Sequence, residues 1–384
     1  MHPRKKIVII AGEESGDQLA AALIRELLKA YPNLDISGIG GEHMQSCGMR
    51  LLVNLARYGV TGLVEVIRHL GIIRHAEKTI RAYLLTHQPD LVVLVDYPGF
   101  NLRLAKFIKK NLNTRILYYI SPQIWAWKAG RIDTIKACID HMAVILPFEK
   151  QIYCDAKVPV SFVGHPLVKQ LTSQPAASFK PAFPSNKRLI ALLPGSRVNE
   201  IKHHMPILYE AAMLLSQVHD DLHFVIPVAQ TLALDFVQSF WLSNESACTF
   251  MSGHAIDVIQ QSDCVVVASG TASLQCALIN KPMCIIYKAS AITYMVVSQV
   301  IRVRYLGLCN LLMNKMVVPE LMQNDCNPQS ISDVVHQLLT DTSLCQRMHQ
   351  QLASLSSMLS NENADISLKS LVSNMLFNAN QTPS

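Results

Sequence analysis

The chain has 384 residues, half of them hydrophobic and only 16% charged, with a formal net charge of +6. This length predicts two domains, and a charged fraction below the usual level of about 25% favours a protein that works at a membrane or on an apolar substrate. The basic residues are scattered and have no interleaved aromatic residues, which argues against a nucleic-acid partner.

Cysteine usage and apolar run length indicate the compartment. The ten cysteines are dispersed and include no C-x-x-C pair, which disfavours a zinc site and indicates reduced thiols in a cytosolic protein. The apolar run 7–11 is too short for a signal peptide, and no run approaches the ~18 apolar residues that cross a bilayer. We therefore expect a cytosolic protein that meets a membrane only at its surface.

The first half of the chain alternates short apolar runs with amphipathic segments. This alternation predicts a parallel sheet covered by helices on both faces. The first helix is predicted over 18–30. The predicted strands of this half are 6–11, 35–39, 91–95, 115–120, 142–146 and 160–163.

The alternation stops and then starts again in the second half. Residues 171–187 are rich in Ser, Pro, Ala and Phe, which is typical of a linker. Strands are then predicted at 189–193, 223–228, 249–251, 264–268 and 283–287, with helical character near 205–217 and over 331–377. We expect two Rossmann-like domains facing each other across a cleft, 1–170 and 188–345, followed by a helical tail 346–384.

Two short loops in the second half follow predicted strands and precede helical segments. They are Pro-Gly-Ser-Arg at 194–197 and Ser-Gly-Thr-Ala at 269–272. Such loops present backbone N–H groups and a helix N-terminus to an anion, so the pair predicts a diphosphate held from both sides. No D-x-D motif occurs, so we expect no metal ion and assign stabilisation of a leaving diphosphate to Arg197 and the loop amides.

Asp96 stands at the end of the predicted strand 91–95, before a loop that contains Pro98 and Gly99. The carboxyl ends of parallel strands open onto the ligand crevice, where a carboxylate can act as a general base toward a hydroxyl nucleophile. Alternatively, Asp96 caps the helix that follows Gly99.

Other loops carry polar and aromatic groups. Residues 12–17 lack the G-x-G-x-x-G spacing and suit sugar hydroxyls, although Asp17 is equally suited to cap helix 18–30. Residues 38–41 indicate a tight turn, and two tryptophans within 121–128 line either a sugar or acyl pocket or the core. A sugar or acyl site is assigned to Glu13, Ser15, Gly16, Asp17, Gln123, Trp125 and His165.

Histidines and one apolar basic segment complete the candidates. His165 lies beside the predicted hinge as either a ligand or a structural residue, whereas His203 and His204 are expected at the surface. Segment 60–84 suits a helix in a membrane interface, with an ordinary amphipathic core helix as the alternative. Its membrane-facing residues would be Leu63, Val66, Ile67, Leu70 and Ile73, with Arg68 and Arg74 on the basic face.

Short motifs that occur in one characteristic order extend along nearly the whole chain. They begin at 11–17 and end at 318–323, and the others are 62–66, 95–101, 119–127, 146–149, 162–166, 193–197 and 268–272. In this order the chain resembles the lipid-A-disaccharide synthase family, glycosyltransferases of the two-domain GT-B type.

The resemblance implies a transfer between two acylated sugars. The donor would be UDP-2,3-diacylglucosamine and the acceptor 2,3-diacylglucosamine 1-phosphate, whose 6-hydroxyl attacks with inversion to give the β(1→6)-linked lipid A disaccharide precursor and UDP. The resemblance implies no cofactor. It implies the phospholipid surface on the inner face of the cytoplasmic membrane as a partner, and it leaves open whether the chain forms a homodimer. The family's base falls on Asp96, and its UDP-binding positions fall on Gly195, Ser196, Arg197, Ser269, Gly270, Thr271 and Asn310.

One position departs from the family pattern. Where related transferases carry a glutamate that accepts hydrogen bonds from the ribose, this chain has Gln275, whose neutral amide oxygen accepts more weakly. A membrane-bound pseudo-enzyme is an alternative that Gln275 alone raises. Another GT-B enzyme on a UDP-amino sugar, such as a UDP-sugar 2-epimerase, would not need the apolar basic helix. A two-lobed solute-binding protein would need an export signal, which the sequence lacks.

Overall fold

The computed structural model describes residues 4–58, 70–125, 130–173, 183–242, 248–289 and 304–377. It divides into two compact units, of which unit 1 comprises Met1–Pro166 with Asn361–Ser384 and unit 2 comprises Leu167–Ser360. Each unit contains one sheet whose described strand pairs are all parallel. The α/β class expected from the alternating pattern is therefore confirmed.

Unit 1 is a doubly wound sheet. Among its described residues the strand order is β3-β2-β1-β4-β5-β6-β7, so the order reverses between the neighbours β1 and β4. Ligands of such sheets bind at the carboxyl ends of the strands where the order reverses. The strands are β1 Lys6–Ala11, β2 Asp35–Gly40, β3 Arg50–Asn54, β4 Leu91–Val95, β5 Arg115–Tyr119, β6 His141–Val144 and β7 Val160–Phe162.

Helices cover both faces of this sheet because its central strands are apolar on both sides. In β1, Val8 and Ile10 pack in one cluster, while Ile7 and Ile9 pack in the other. The helices of unit 1 are α1 Glu14–Ala30, α2 Glu42–Ser46, α3 Leu70–His87, α4 Pro98–Asn111, α5 Arg131–Cys138 and α6 Pro147–Asp155, with α7 Pro166–Ser173 at the change to unit 2 and short 3₁₀ turns at Ala56–Tyr58 and Asn361–Asn363.

Unit 2 repeats the same design. The order of its described strands is β10-β9-β8-β11-β12-β13, with the reversal between β8 and β11. Its strands are β8 Arg188–Leu193, β9 Leu222–Val228, β10 Cys248–Ser252, β11 Cys264–Ala268, β12 Met283–Tyr287 and β13 Glu320–Met322. Its further helices are α8 Val198–Val218, α9 Leu234–Gln238, α10 Ala255–Gln261, α11 Thr271–Leu278, α12 Leu308–Met313, α13 Pro328–Thr340 and α14 Thr342–Leu359.

The predicted strands agree with the structure within one or two residues, but two edge strands were missed. Strand β3 is half exposed and its pairing with β2 shifts register between Gly38 and Ile39, so it lacks the buried apolar run that marks the inner strands. Strand β13 has only three residues. The turn expected at 38–41 is wrong for its first three residues, because β2 continues to Gly40 and pairs Gly38 with Ile9. Glycine is required at position 38, since a Cβ there would lie 1.8 Å from the carbonyl oxygen of Ile9.

The helical tail predicted over 346–384 is not a separate element. Helix α14 ends in unit 2, whereas α15 (Leu368–Phe377) belongs to unit 1. Its residues Leu371, Val372 and Leu376 are buried against the face of the unit 1 sheet that α1 covers. Unit 1 is therefore completed by a segment that follows all of unit 2 in the chain.

The candidate membrane segment is only partly described. Leu70 is 38% exposed and Arg74 is exposed, which leaves both accessible. Ile73 is 6% exposed and packs in the core of unit 1, so the expectation that it faces lipid is wrong. Leu63, Val66, Ile67 and Arg68 lie outside the described residues. Within the described ranges, no helix combines the length and apolar character needed to cross a bilayer.

Replacing Leu371 with alanine should destabilise unit 1 selectively. The substitution leaves a cavity in the core that α15 shares with α1 and the sheet, so we expect a loss of about 2–5 kcal/mol in the free energy of unfolding of unit 1. Hydrogen exchange resolved by peptide should accelerate in β1 and β4 but not in β8 and β11. The matched control is Asn374→Ala, at an exposed position of the same helix. Equal acceleration in both units would contradict the assignment of α15 to unit 1.

Candidate active site

Asp96 follows β4 at the reversal of strand order in unit 1, and its backbone is strained. Asp96 and the next residue, Tyr97, have φ values of +44° and +45°, in the left-handed region that non-glycine residues rarely adopt. Such residues cost about 1–3 kcal/mol each and persist only where their surroundings impose them. Here the carbonyl oxygen of Asp96 accepts two hydrogen bonds, from the Tyr118 hydroxyl at 2.6 Å and from Asn101 Nδ2 at 2.7 Å.

Both donors to the Asp96 carbonyl are fully buried, so the turn is fixed from inside the unit. Helix α4 begins at Pro98 with Tyr97 at the N-cap, which removes the alternative that Asp96 caps this helix. Burial raises the pKa of the Asp96 carboxyl, and a hydrogen bond from the Tyr97 amide opposes the rise. A carboxylate of raised pKa is a stronger base as long as it stays ionised.

The loop after β1 lies beside this turn. The ring of Tyr97 covers Gly12, where a Cβ atom would come within 2.2 Å of the ring, so only glycine fits. Ser15 is exposed, Glu13 is half-exposed and Gly16 is buried. These residues were assigned to a sugar site, and only Glu13 and Ser15 keep exposed side chains.

Asp17 has a structural role that neither predicted alternative anticipated. Its carboxylate is fully buried and accepts hydrogen bonds from the backbone amides of Gly41, His43 and Met44 at 2.6, 2.9 and 3.2 Å. Helix α1 begins earlier, at Glu14, so Asp17 does not cap it. Asp17 caps α2 instead, and the expectation that it binds sugar hydroxyls is wrong.

Three ionisable residues lie close together at the starts of α1 and α2. Glu14, Asp17 and His43 bring ligand-type atoms within 4.8 Å of one another. The Asp17 oxygens are already engaged by amides, and His43 Nε2 lies 2.9 Å from Glu14 Oε1. The cluster is therefore explained by helix capping and one exposed hydrogen bond.

The aromatic segment after β5 is described as far as Trp125. Gln123 is exposed, whereas Trp125 is half buried and its Nε1 donates a hydrogen bond to Glu149 Oε1 at 3.1 Å. Trp127 lies outside the described residues. Glu149 itself is buried, which raises its pKa to about 7. His165 is 6% exposed, and burial lowers its pKa to about 4, so it is an uncharged residue near pH 7.

In unit 2, the amides of loop 194–197 already bind a side-chain carboxylate of this chain. Glu200 Oε2 accepts hydrogen bonds from the amides of Ser196 and Arg197 at 2.9 and 3.2 Å. Gly195 has a φ of +117°, and a Cβ there would lie 2.3 Å from the same oxygen. The amides predicted to bind a diphosphate are therefore engaged by a carboxylate, while the Arg197 side chain is 68% exposed.

His204 fixes the same loop from the other side. Its Nε2 accepts the Lys288 amide at 3.0 Å, so Nδ1 carries the proton and donates to the Pro194 carbonyl at 2.7 Å. The ring is 1% exposed, so the expectation that His204 lies at the surface is wrong. Burial lowers its pKa, and the neutral ring joins the end of β8 to the end of β12.

The second loop lies after β11, at the reversal of strand order in unit 2. Ser269 donates its amide to Ile286 at 2.9 Å, and Gly270 has a φ of +149° that favours glycine. Gly270 and Thr271 are exposed at the start of α11, whose first amides have no preceding helical carbonyl to bind. Gln275 is half exposed one turn further along α11.

Asn310 does not have the role that the resemblance gave it. It is fully buried, and Nδ2 donates to Val318 O and Glu320 Oε1 at 2.8 and 2.7 Å. Its Oδ1 accepts the amides of Val317 and Val318 at 2.7 and 3.0 Å. All four hydrogen-bonding positions of the amide are used, so the expectation of a UDP contact from this side chain is corrected to a structural role.

Sequence reasoning missed residues that support the candidate site from within. For Tyr118 and His204 the sequence gives no sign of their partners. Asn101, Glu149 and Glu200 carried a signal. Asn101 ends the 95–101 segment and Glu149 ends the 146–149 segment. Glu200 stands three residues after Arg197, the spacing at which an acidic side chain returns to an N-cap amide.

The two parallel sheets, each with candidate ligand loops at the reversal of strand order, define an α/β protein of the GT-B fold. Among solved structures, the chain is similar to the glycotransferase of kitacinnamycin, with a TM-score of 0.63 and 13% identity over 98% of this chain and 100% of that one. It is equally similar to the UDP-GlcNAc 2-epimerase from Neisseria meningitidis bound to UDP-GlcNAc, with a TM-score of 0.63 and 12% identity over 97% and 100% of the two chains.

The family follows from sequence. The model of the lipid-A-disaccharide synthetase family matches residues 7–374. Lipid-A-disaccharide synthase 1 of Legionella pneumophila subsp. pneumophila is 52% identical over 370 residues, which cover 96% of each chain. The chain therefore belongs to the lipid-A-disaccharide synthase family, whereas its likeness to the epimerase is one of fold alone.

Replacing Asn310 with alanine should destabilise unit 2. The change leaves two buried amides without an acceptor, and we expect a loss of about 3 kcal/mol or more in its free energy of unfolding. Asn310→Asp should not rescue stability, because it places a second carboxylate against Glu320. Urea unfolding followed by hydrogen exchange in β12 measures the effect, with the exposed Asn324→Ala as control. Unchanged stability with weakened UDP binding would restore the nucleotide role.

Proposed function

We propose that this chain transfers 2,3-diacylglucosamine from its UDP donor to the 6-hydroxyl of 2,3-diacylglucosamine 1-phosphate. The products are the β(1→6)-linked disaccharide precursor of lipid A and UDP, and the configuration at the anomeric carbon inverts. Family membership over residues 7–374 supports the reaction. The observation that carries the mechanism is the strained and doubly anchored turn at Asp96, because backbone strain of this kind concentrates at catalytic sites.

Asp96 acts as the general base. Inversion by single displacement needs one base that removes the proton of the attacking hydroxyl while the leaving group departs from the opposite face. Tyr118 and Asn101 hold the backbone of Asp96, so its carboxylate returns to one position after each turnover. Burial raises its pKa and thus strengthens it as a base.

Unit 2 holds the UDP. The exposed Arg197 guanidinium supplies the positive charge, and the backbone amides of Gly270 and Thr271, at the N-terminus of α11, supply hydrogen bonds. Ser269 lies at the same strand end, and Gln275 accepts from the ribose. The epimerase of the same fold is bound to UDP-GlcNAc, which supports a UDP-sugar as ligand. Because Glu200 engages the amides of Ser196 and Arg197, loop 194–197 binds the phosphates through the Arg197 guanidinium more than through its backbone amides.

The acylated substrates require contact with a lipid surface. We place the enzyme on the inner face of the cytoplasmic membrane as a peripheral protein, in accord with the low charged fraction of the sequence. Leu70 and Arg74, at the start of α3, are the described residues that support this contact, since one exposes apolar surface and the other positive charge.

Replacing Asp96 with asparagine tests the base. We expect turnover to fall by about 10²–10⁴-fold, since the amide cannot take the proton, while UDP affinity stays unchanged. Disaccharide and UDP are measured from the two acylated substrates, with the exposed Asp133→Asn of the same unit as control. In the unaltered protein the rate should fall as the pH drops through the raised pKa of Asp96. Near-normal turnover in the variant would remove Asp96 from this role.

Replacing Arg197 with alanine tests the phosphate site. Loss of a charge-assisted contact should weaken UDP binding about tenfold or more and leave binding of uridine, which has no phosphate, unchanged. Calorimetric titration gives the ratio of the uridine and UDP affinities. The control is Lys202→Ala, an exposed cation of α8, the helix that Arg197 precedes. An equal loss of affinity for uridine and UDP would show that Arg197 does not contact the phosphates.

A further inference from the structure

Glu149 is a buried acid that the proposed mechanism does not use. Its side chain lies in the first turn of α6, and the residue is 2% exposed. Oε1 accepts the Trp125 indole N–H, whereas Oε2 has no hydrogen-bond partner among the described residues. A buried carboxyl group with an unused oxygen is costly, and such groups are uncommon without a functional reason.

The segment that Glu149 holds is itself strained. Residues 120–125 leave β5 through Ile120, whose φ of +66° is exceptional for a β-branched residue. Two further contacts from α6 fix the segment. Ser121 Oγ lies 2.7 Å from the Tyr153 hydroxyl, and the Trp125 ring packs edge-on against Phe148 with ring centroids 5.2 Å apart.

The strained segment begins next to the base. Strand β5 pairs with β4, and the amide of Asp96 donates to the Tyr119 carbonyl at 2.9 Å, immediately before Ile120. The next strand residue inward, Tyr118, donates its hydroxyl to the Asp96 carbonyl. Segment 120–125 and the Asp96 turn are therefore adjacent loops at the carboxyl edge of one sheet, and Gln123 is exposed there.

We propose that Glu149 is a positioning residue for the acceptor, because it holds Trp125 and thereby keeps segment 120–125 in its strained course beside Asp96. The inference rests on the proposed function, in which Asp96 acts on the hydroxyl of an acylated sugar. The ligand class is that acceptor, an acylated amino-sugar phosphate, whose sugar ring meets the fixed segment. Binding of UDP by unit 2 is independent of this contact.

The chemistry of the contact separates two substitutions. Glu149→Gln retains a carbonyl oxygen that can accept the Trp125 N–H, and it has nearly the same volume as the acid. Glu149→Ala removes the acceptor and leaves the half-buried indole N–H without this partner, which costs more than losing both partners together. Trp125→Phe removes the donor but keeps an aromatic ring against Phe148.

The test is direct binding of 2,3-diacylglucosamine 1-phosphate in detergent micelles, alongside binding of UDP. We expect Glu149→Ala to weaken acceptor binding about tenfold or more and Glu149→Gln to stay within about threefold of the unaltered protein. UDP affinity should be unchanged in both. The double variant Glu149→Ala, Trp125→Phe should bind the acceptor no worse than Glu149→Ala alone, because both changes break one contact. The matched control is Asp155→Asn, an exposed acid of the same helix.

Three results would overturn the inference. They are unchanged acceptor binding in Glu149→Ala, equal loss of acceptor and UDP binding, and failure of Glu149→Gln to preserve acceptor binding when its thermal unfolding is unchanged. Failure of the proposed function looks different, since the unaltered protein would bind the acceptor and UDP but form no disaccharide. In that case the binding ratios among the variants still decide the role of Glu149.

Discussion

In a fully parallel sheet the carboxyl ends of all strands lie on the same side, and this constraint organises the loops of both units. The loops that leave this edge gather where the strand order reverses, between β1 and β4 in unit 1 and between β8 and β11 in unit 2. They run close to buried apolar strands, so their backbone groups must find partners other than water. In this protein many of those partners are buried polar side chains from neighbouring elements.

These supporting side chains explain why the loops can be strained and still have one conformation. Tyr118 and Asn101 together bind a single carbonyl oxygen, which fixes two consecutive left-handed residues. Asp17 engages three amides of one turn, and Glu200 and His204 fix loop 194–197 from two directions. Buried side chains thus hold these loops, and residues left exposed on them, such as Arg197 and Thr271, are the candidates for ligand contact.

The sequence predicted the parts of the fold that periodicity controls. Buried central strands are continuous apolar runs, so β1, β4, β8 and β11 were located within a residue or two, and the loops after them followed. The edge strand β3 was not predicted because it is half exposed and lacks a continuous apolar run. The site was predicted less well. Asp17, Asn310 and His204 are polar residues beside ligand loops, and the sequence alone cannot distinguish a side chain that turns outward to a ligand from one that turns inward to a backbone amide.

The order of the chain through the units has a consequence for biosynthesis. Unit 2 is continuous in sequence, whereas unit 1 is closed by α15, which is synthesised after all of unit 2. Until α15 is made, the part of this sheet face that receives Leu371, Val372 and Leu376 is apolar and uncovered, although α1 already covers the rest. Nascent unit 1 therefore exposes apolar surface for the whole time that unit 2 is being synthesised. This condition favours chaperone binding until α15 leaves the ribosome.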